Sequence, residues 1–471
     1  MGEDVTEKEE SIQNFQKPYH FFLIKSVKKC YNPLWQNIFC SDIFPISIGE
    51  GGCHGRMFRR DKAILHLHRG DIRLIEQKIG VTEMNLTEKE FVKFLSKFDE
   101  HPFDVEIGDE VSHIGKGEPE FKVIFHEIPS MKELLTSTSI ALGEAYMDGK
   151  LEIEGDLYHA LNMFLGQMGK FSTDKKALRK LIFSSLTKKN QQKEVSSHYD
   201  IGNDFYKMWL DETMSYSCGY FKHPEDTLYQ AQVQKVERIL KKLYLKEGMT
   251  LCDIGCGWGY LLIEAAKKYG IKGVGITLSK EQKKKFEERI KENHLEDQLE
   301  VRLMDYRDLP ESGLKFDRVV SVGMLEHVGR DNYELFMKCV KSIMNPGGLF
   351  LLHYISALQE HTGDAWVKKY IFPGGVIPSL REIINIAGEH QFYTLDVESL
   401  RRHYNKTLLC WNQNFQQHKD EVREMFGERF VRMWELYLCA CAATFMNGII
   451  DLHQILFTNG VNNDLPMTRW Y

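Results

Sequence analysis

The sequence predicts an α/β protein: a doubly wound, Rossmann-like parallel sheet behind a smaller N-terminal α+β domain. Three observations predict it. Five runs have the length and content of strands: Thr250–Ile254, Gly273–Thr277, Leu299–Leu303, Arg318–Val322 and Leu349–Tyr354. Helical patterns over Lys280–His294, Asn332–Met344 and Leu380–Gly388 alternate with them. A glycine-rich turn, Gly255-Cys-Gly-Trp-Gly259, joins the first strand to a helix with Leu261, Leu262, Ile263, Ala265 and Ala266 as its apolar positions. Ligands on such sheets bind beyond the carboxyl ends of the strands, which is where this turn falls.

Residues 1–86 carry little periodicity and read as a poorly ordered extension, with Met84 as an alternative start. The small domain occupies residues 87–170. Thr87 is expected to cap a helix over Glu88–Phe98, with Glu90 completing a capping box and Phe91, Phe94, Leu95 and Phe98 on one face. Asp104–Ile107 and Phe121–Phe125 alternate like strands. Residues 171–197 form a basic linker, and Asp174–Lys193 places Leu178, Leu181, Ile182 and Leu186 at helical spacing. Two readings stand for it: a solvated linker helix, or a basic amphipathic face against anionic lipid. The second domain runs over residues 198–471.

A chain of 471 residues is long enough for two domains with full cores. Its net charge of −6 argues against nucleic acid as a partner. No apolar run approaches the roughly 18 residues of a membrane span. The acidic amino terminus has no apolar signal region, so a cytoplasmic protein is expected. The ten cysteines show no metal-ligand spacing; Cys252 and Cys256 only flank the glycine turn. Reduced thiols and no metal are expected.

Asp253 stands two residues before Gly255, and the glycines are spaced G-x-G-x-G. A dinucleotide-binding turn would read G-x-G-x-x-G. Acidic residue, strand, turn and helix together resemble motif I of the S-adenosylmethionine-dependent methyltransferases. Other chemistry-bearing side chains gather past strand ends. Asp305 and Tyr306 follow the third strand, Glu326 and His327 the fourth, and His353 ends the fifth. A capped loop would explain Glu326–His327, and a satisfied core histidine would explain His353. Their closeness to a ligand loop favours a functional reading. Cys218 has no base at a spacing that would make it a nucleophile.

Several motifs in order resemble the cyclopropane-fatty-acyl-phospholipid synthases of the mycolic acid cyclopropane synthase family. They are His198-Tyr-Asp-Ile-Gly-Asn-Asp-Phe-Tyr206, Tyr216-Ser-Cys-Gly-Tyr220, Asp253-Ile-Gly-Cys-Gly-Trp-Gly259, Gly275-Ile-Thr-Leu-Ser279, Asp305-Tyr-Arg-Asp-Leu309, Ser321-Val-Gly-Met-Leu-Glu-His-Val-Gly329 and Lys369-Tyr-Ile-Phe-Pro-Gly-Gly375. The resemblance runs from about Leu86 to the carboxyl terminus. It implies a methylene transfer from S-adenosyl-L-methionine to a cis double bond in a membrane phospholipid. It implies bicarbonate as the base, held by Glu326, His353, Tyr404 and the backbone of Cys218 and Ile355. For the co-substrate it implies Tyr216, Ser217, Asp253, Gly255, Gly257, Thr277, Leu278, Gln282, Asp305 and Tyr306, with the ribose falling to Thr277 and Gln282. It implies peripheral attachment at the inner face of the membrane, and it allows a homodimer. A methyl-branching enzyme and a non-catalytic lipid-binding homologue are the alternatives.

Overall fold

The computed structural model describes residues 86–168, 202–360, 362–469 and 471. The expectations for the amino-terminal extension, for Met84 and for the basic linker lie outside the described residues.

The small domain is built on four strands, β1 (Phe103–Ile107), β2 (Glu110–Ile114), β3 (Lys122–Phe125) and β4 (Leu151–Glu154). They lie in the order β2-β1-β3-β4, with β1 and β3 parallel and the other pairs antiparallel. β1 alternates buried and half-buried residues, and Phe103, Val105 and Ile107 face the core, as period-two patterning requires. The first helix spans Leu86–Leu95, so Thr87 lies inside it, one residue past its first position. Phe98 falls beyond its end but still packs edge-on against Phe164, with ring centres 5.2 Å apart.

The large sheet has seven strands: β5 (Thr250–Ile254), β6 (Lys272–Thr277), β7 (Leu299–Leu303), β8 (Phe316–Val322), β9 (Met344–Ser356), β10 (Phe392–Ser399) and β11 (Asp451–Asn459). Their order is β10-β11-β9-β8-β5-β6-β7. The five strands expected from the sequence form a parallel run. The sheet as a whole is not parallel, because β11 runs antiparallel to both β9 and β10. Three helices, Arg401–Gln417, Lys419–Phe426 and Glu428–Met446, separate β10 from β11 in sequence. β10 and β11 pair antiparallel across this insertion, and β10 has only a weak alternation of burial to announce it.

The helices Arg401–Gln417 and Glu428–Met446 pack on one another and on the helix Asn203–Trp209. Trp209, Trp411 and Trp434 are fully buried between them. The same Glu428–Met446 helix carries the small domain. Arg432 donates to the carbonyls of Tyr146 and Leu151 at 2.5 and 3.0 Å. Trp366 lies over Gly143 so closely that a Cβ there would stand 2.4 Å from its ring. The two domains therefore share one hydrophobic core, which runs from Phe91 to Trp434.

Candidate active site

The first strand of the site, β5, is buried along Leu251–Ile254 and delivers the chain to the glycine turn at its carboxyl end. Gly257 and Gly259 hold φ of +54° and +84°, where a side chain is strained. A Cβ on Gly257 would meet nothing within 4 Å, so this glycine leaves an open floor. A Cβ on Gly259 would stand 2.0 Å from the Phe286 ring, so that glycine admits the helix Lys280–Glu292. The helix Tyr260–Tyr269 starts directly behind, with its first N–H groups facing the turn.

A cavity opens over this floor. Tyr216, Ser217, Asp253, Gly255, Gly257, Thr277, Leu278, Gln282 and Tyr306 all line it. Asp305 does not: its carboxylate grips the Arg307 guanidinium at 2.8 and 3.0 Å and accepts from the Arg307 backbone N–H at 2.9 Å. Thr277 Oγ1 donates to Gln282 Oε1 at 2.8 Å and accepts from the Ser279 N–H at 3.1 Å. The pair is thereby fixed at the end of β6. The Tyr216 and Tyr437 hydroxyls are 2.8 Å apart, and the Tyr216 ring stands edge-on to Trp209.

Asp253 is buried, and its Oδ1 has no hydrogen-bond partner among the described residues. Burial pushes its carboxyl up to about 7, against the opposing pull of Lys235. Lys235 lines the same cavity and is itself buried, with its Nζ donating to Ser217 Oγ at 3.0 Å. Burial lowers its pKa to about 8. Sequence reasoning passed over this lysine. The available signal was its spacing: Leu228, Gln232, Lys235 and Ile239 share the buried face of the helix Leu228–Lys242.

The five residues assigned to the base lie beside this cavity and do not line it. Glu326 sits in a short turn, Leu325–His327, after β8. Its Oε1 accepts the Ile355 backbone N–H at 2.6 Å, while Oε2 is buried with no partner among the described residues. Burial pushes this carboxyl up to about 7. His353 lies inside β9, three residues before its end, where the sequence placed it at the end. Its Nδ1 stands 3.2 Å from Gln454 Nε2, and Nε2 has no partner among the described residues. Burial lowers the imidazole to about 3, which keeps it neutral. An amide donating to Nδ1 leaves the ring proton on Nε2. The Tyr404 hydroxyl is buried, and Cys218 and Glu326 both act on it electrostatically. Burial also pushes the Cys218 thiol up, which makes it a poor nucleophile.

One further cluster lies on the small domain. His101, Glu120 and His159 bring possible metal-ligand atoms within 4.8 Å of one another. Both imidazoles already bond to Glu120, which accounts for the grouping without an ion.

A seven-stranded sheet with one antiparallel strand next to its edge, and a glycine turn flooring a cavity at the end of its first central strand, defines a class I S-adenosylmethionine-dependent methyltransferase. Within that class the chain belongs to the mycolic acid cyclopropane synthetase family, which matches residues 186–455. A domain of unknown function matches residues 91–176. The chain is 39% identical to a probable fatty acid methyltransferase of Pseudomonas putida, over 74% of this chain and 91% of that protein. It is 38% identical to the cyclopropane-fatty-acyl-phospholipid synthase of Escherichia coli, over 72% and 88%. Among solved structures, mycolic acid cyclopropane synthase CmaA1, complexed with SAH and CTAB, superposes with a TM-score of 0.54 at 33% identity, covering 57% of this chain and 98% of that one.

Proposed function

We propose that this protein transfers a methylene carbon from S-adenosyl-L-methionine to a cis double bond in an acyl chain of a membrane phospholipid, giving a cyclopropane. The observation that carries the reading is the pair of buried polar atoms without partners, Glu326 Oε2 and His353 Nε2, beside a cavity floored by the glycine turn. Such atoms are costly to bury unless a ligand completes them. Donors on a protonated Glu326, on neutral His353 and on Tyr404 suit a small oxyanion such as bicarbonate.

The alkene electrons attack the sulfonium methyl, and the carbon–sulfur bond breaks. The resulting carbocation loses a proton from the new methyl, and the electrons of that C–H bond close the ring. Bound bicarbonate supplies the base for this step. The chain's own residues do the rest. Glu326 is oriented by the Ile355 N–H, so its free oxygen has one direction to face. His353 is held neutral by burial and adds no second positive charge next to the cation. The aromatic cluster of Tyr206, Trp209, Tyr216 and Trp411 excludes water from an alkene that is a weak nucleophile. Thr277 and Gln282 serve the ribose, and the Asp253 side of the turn serves the amino-acid end.

Because its acyl substrate would lie in a bilayer, the protein would dock at a membrane surface; no helix among the described residues is long and apolar enough to cross one. A second reading, a methyl-branched product, draws support from the name of the Pseudomonas putida relative and from a tuberculostearic acid methyltransferase of Mycobacterium tuberculosis that is 37% identical. Lipids from a host expressing the chain test both. Cyclopropanation adds one CH2 and brings upfield ring protons in the NMR spectrum. A vinylic methylene signal would favour branching, and no mass gain would overturn both readings.

A further inference from the structure

Lys235 and Asp253 pose a problem that the fold alone does not solve. Both are almost fully buried, and both open onto the same cavity. Lys235 has three protons to donate, and one goes to Ser217 Oγ. Asp253 keeps one oxygen without a partner among the described residues. The two act on each other electrostatically but form no direct ion pair among the described residues. Asp211, the other carboxylate near Lys235, accepts from the backbone N–H and hydroxyl of Thr213 at 3.1 and 3.0 Å. A buried cation and a buried anion, both incompletely partnered and facing one space, cost the protein stability unless something fills the gap.

An α-amino acid zwitterion fills it. Its ammonium answers a carboxylate and its carboxylate answers an ammonium. From the geometry we infer that Lys235, steadied by Ser217, binds the carboxylate of the amino-acid arm of the co-substrate, while Asp253 faces the ammonium. Lys235 thereby makes the site selective for adenosyl sulfonium compounds and thioethers that carry a free carboxylate. Neutral or decarboxylated adenosyl thioethers lose this contact. The inference rests on the reading of the cavity as the S-adenosylmethionine site and adds the group that discriminates within it. The lysine suits the task because it arrives on a helix packed behind the sheet, where it cannot swing into solvent. Its side chain also reaches the field of His353, so the bound carboxylate offsets a positive charge close to the reacting centre.

Calorimetry on the purified full chain tests this with two ligands, S-adenosylhomocysteine and its decarboxylated analogue. The wild type is expected to bind the first at least about 20-fold more tightly, the scale of a lost charge-assisted hydrogen bond. Equal affinity would overturn the inference without any variant. K235M is expected to weaken S-adenosylhomocysteine by a similar factor while changing the analogue less than about twofold, and K235R is expected to recover part of the loss. An equal loss for both ligands would reduce Lys235 to a structural residue and overturn the assignment. Should K235M not fold, S217A decides, because it removes the hydrogen-bond partner of Lys235: selective loss of S-adenosylhomocysteine supports the inference, and no selective loss overturns it. A wild type that binds neither ligand would defeat the reading of the cavity itself, a separate failure.

Discussion

The carboxylate of Glu326 accepts the backbone N–H of Ile355 at 2.6 Å, across 29 positions of sequence. β8 pairs with β9 as far as Val322 and His353, and Ile355 lies two residues further on. At that point β9 has outrun its neighbour, and its N–H on that side would otherwise be unpaired. Glu326 fills the gap with one oxygen and keeps the other for chemistry. E326Q keeps the acceptor for Ile355 and removes the acid. Turnover should fall at least about 100-fold, the range of a lost general base, because the bicarbonate that would take the proton loses its Glu326 partner, with S-adenosylhomocysteine affinity unchanged. Near-normal product formation would remove Glu326 from the base site.

The same carboxyl makes stability depend on pH. Its pKa is raised from 4.5 to about 7 by burial, so between those values the folded chain holds a proton that the unfolded chain has lost. Stability must fall as pH rises through this window, by about 3 kcal/mol from this one group. E326Q abolishes the contribution. The melting temperature of the variant, relative to wild type, should therefore climb between pH 5 and pH 8. A difference that stays flat across that range would show that Glu326 is not held protonated.

The two glycines of the turn should fail in different ways. G257A meets nothing within 4 Å and carries only the strain of its positive φ, about 1 kcal/mol. It should fold, with a melting temperature a few degrees lower, and should lose S-adenosylhomocysteine affinity because the methyl rises from the cavity floor. G259A drives a methyl against Phe286 and adds overpacking of about 1–3 kcal/mol to the strain. Stability should drop further in G259A than in G257A. Identical melting curves would contradict the division of labour.

The small domain is held by the shared hydrophobic core and by several cross-domain bonds, two of them from Arg432. R432A leaves the Tyr146 and Leu151 carbonyls without this donor. Limited proteolysis should then cut residues 86–168 faster than in wild type, while S-adenosylhomocysteine binding in the other domain persists. Unchanged cleavage would mean that the shared core and the remaining cross-domain bonds hold the domains together without Arg432.

The sequence by itself determined the central strands and the glycine turn, and the family resemblance pointed to part of the cavity lining. β5 is a buried apolar run and β7 alternates, and Asp253, Gly255, Thr277 and Leu278 sit at or just past the carboxyl ends of β5 and β6, within a residue or two of a recognisable boundary. Burial periodicity and turn chemistry are local properties, so a linear reading recovers them. Only the tertiary structure decided the rest. β10 and β11 pair across three helices, and no local pattern announces which edge of the sheet they join or in which direction. The resemblance assigned Asp305 to the co-substrate, and the fold sets its carboxylate on Arg307, outside the cavity lining. Lys235, which the linear reading passed over, lines the cavity beside Asp253 only because of how its helix packs. Period and propensity specify that a face is buried; the partner it meets is fixed by chain closure over long sequence separations, and that is where these charges and unpaired donors acquired their neighbours.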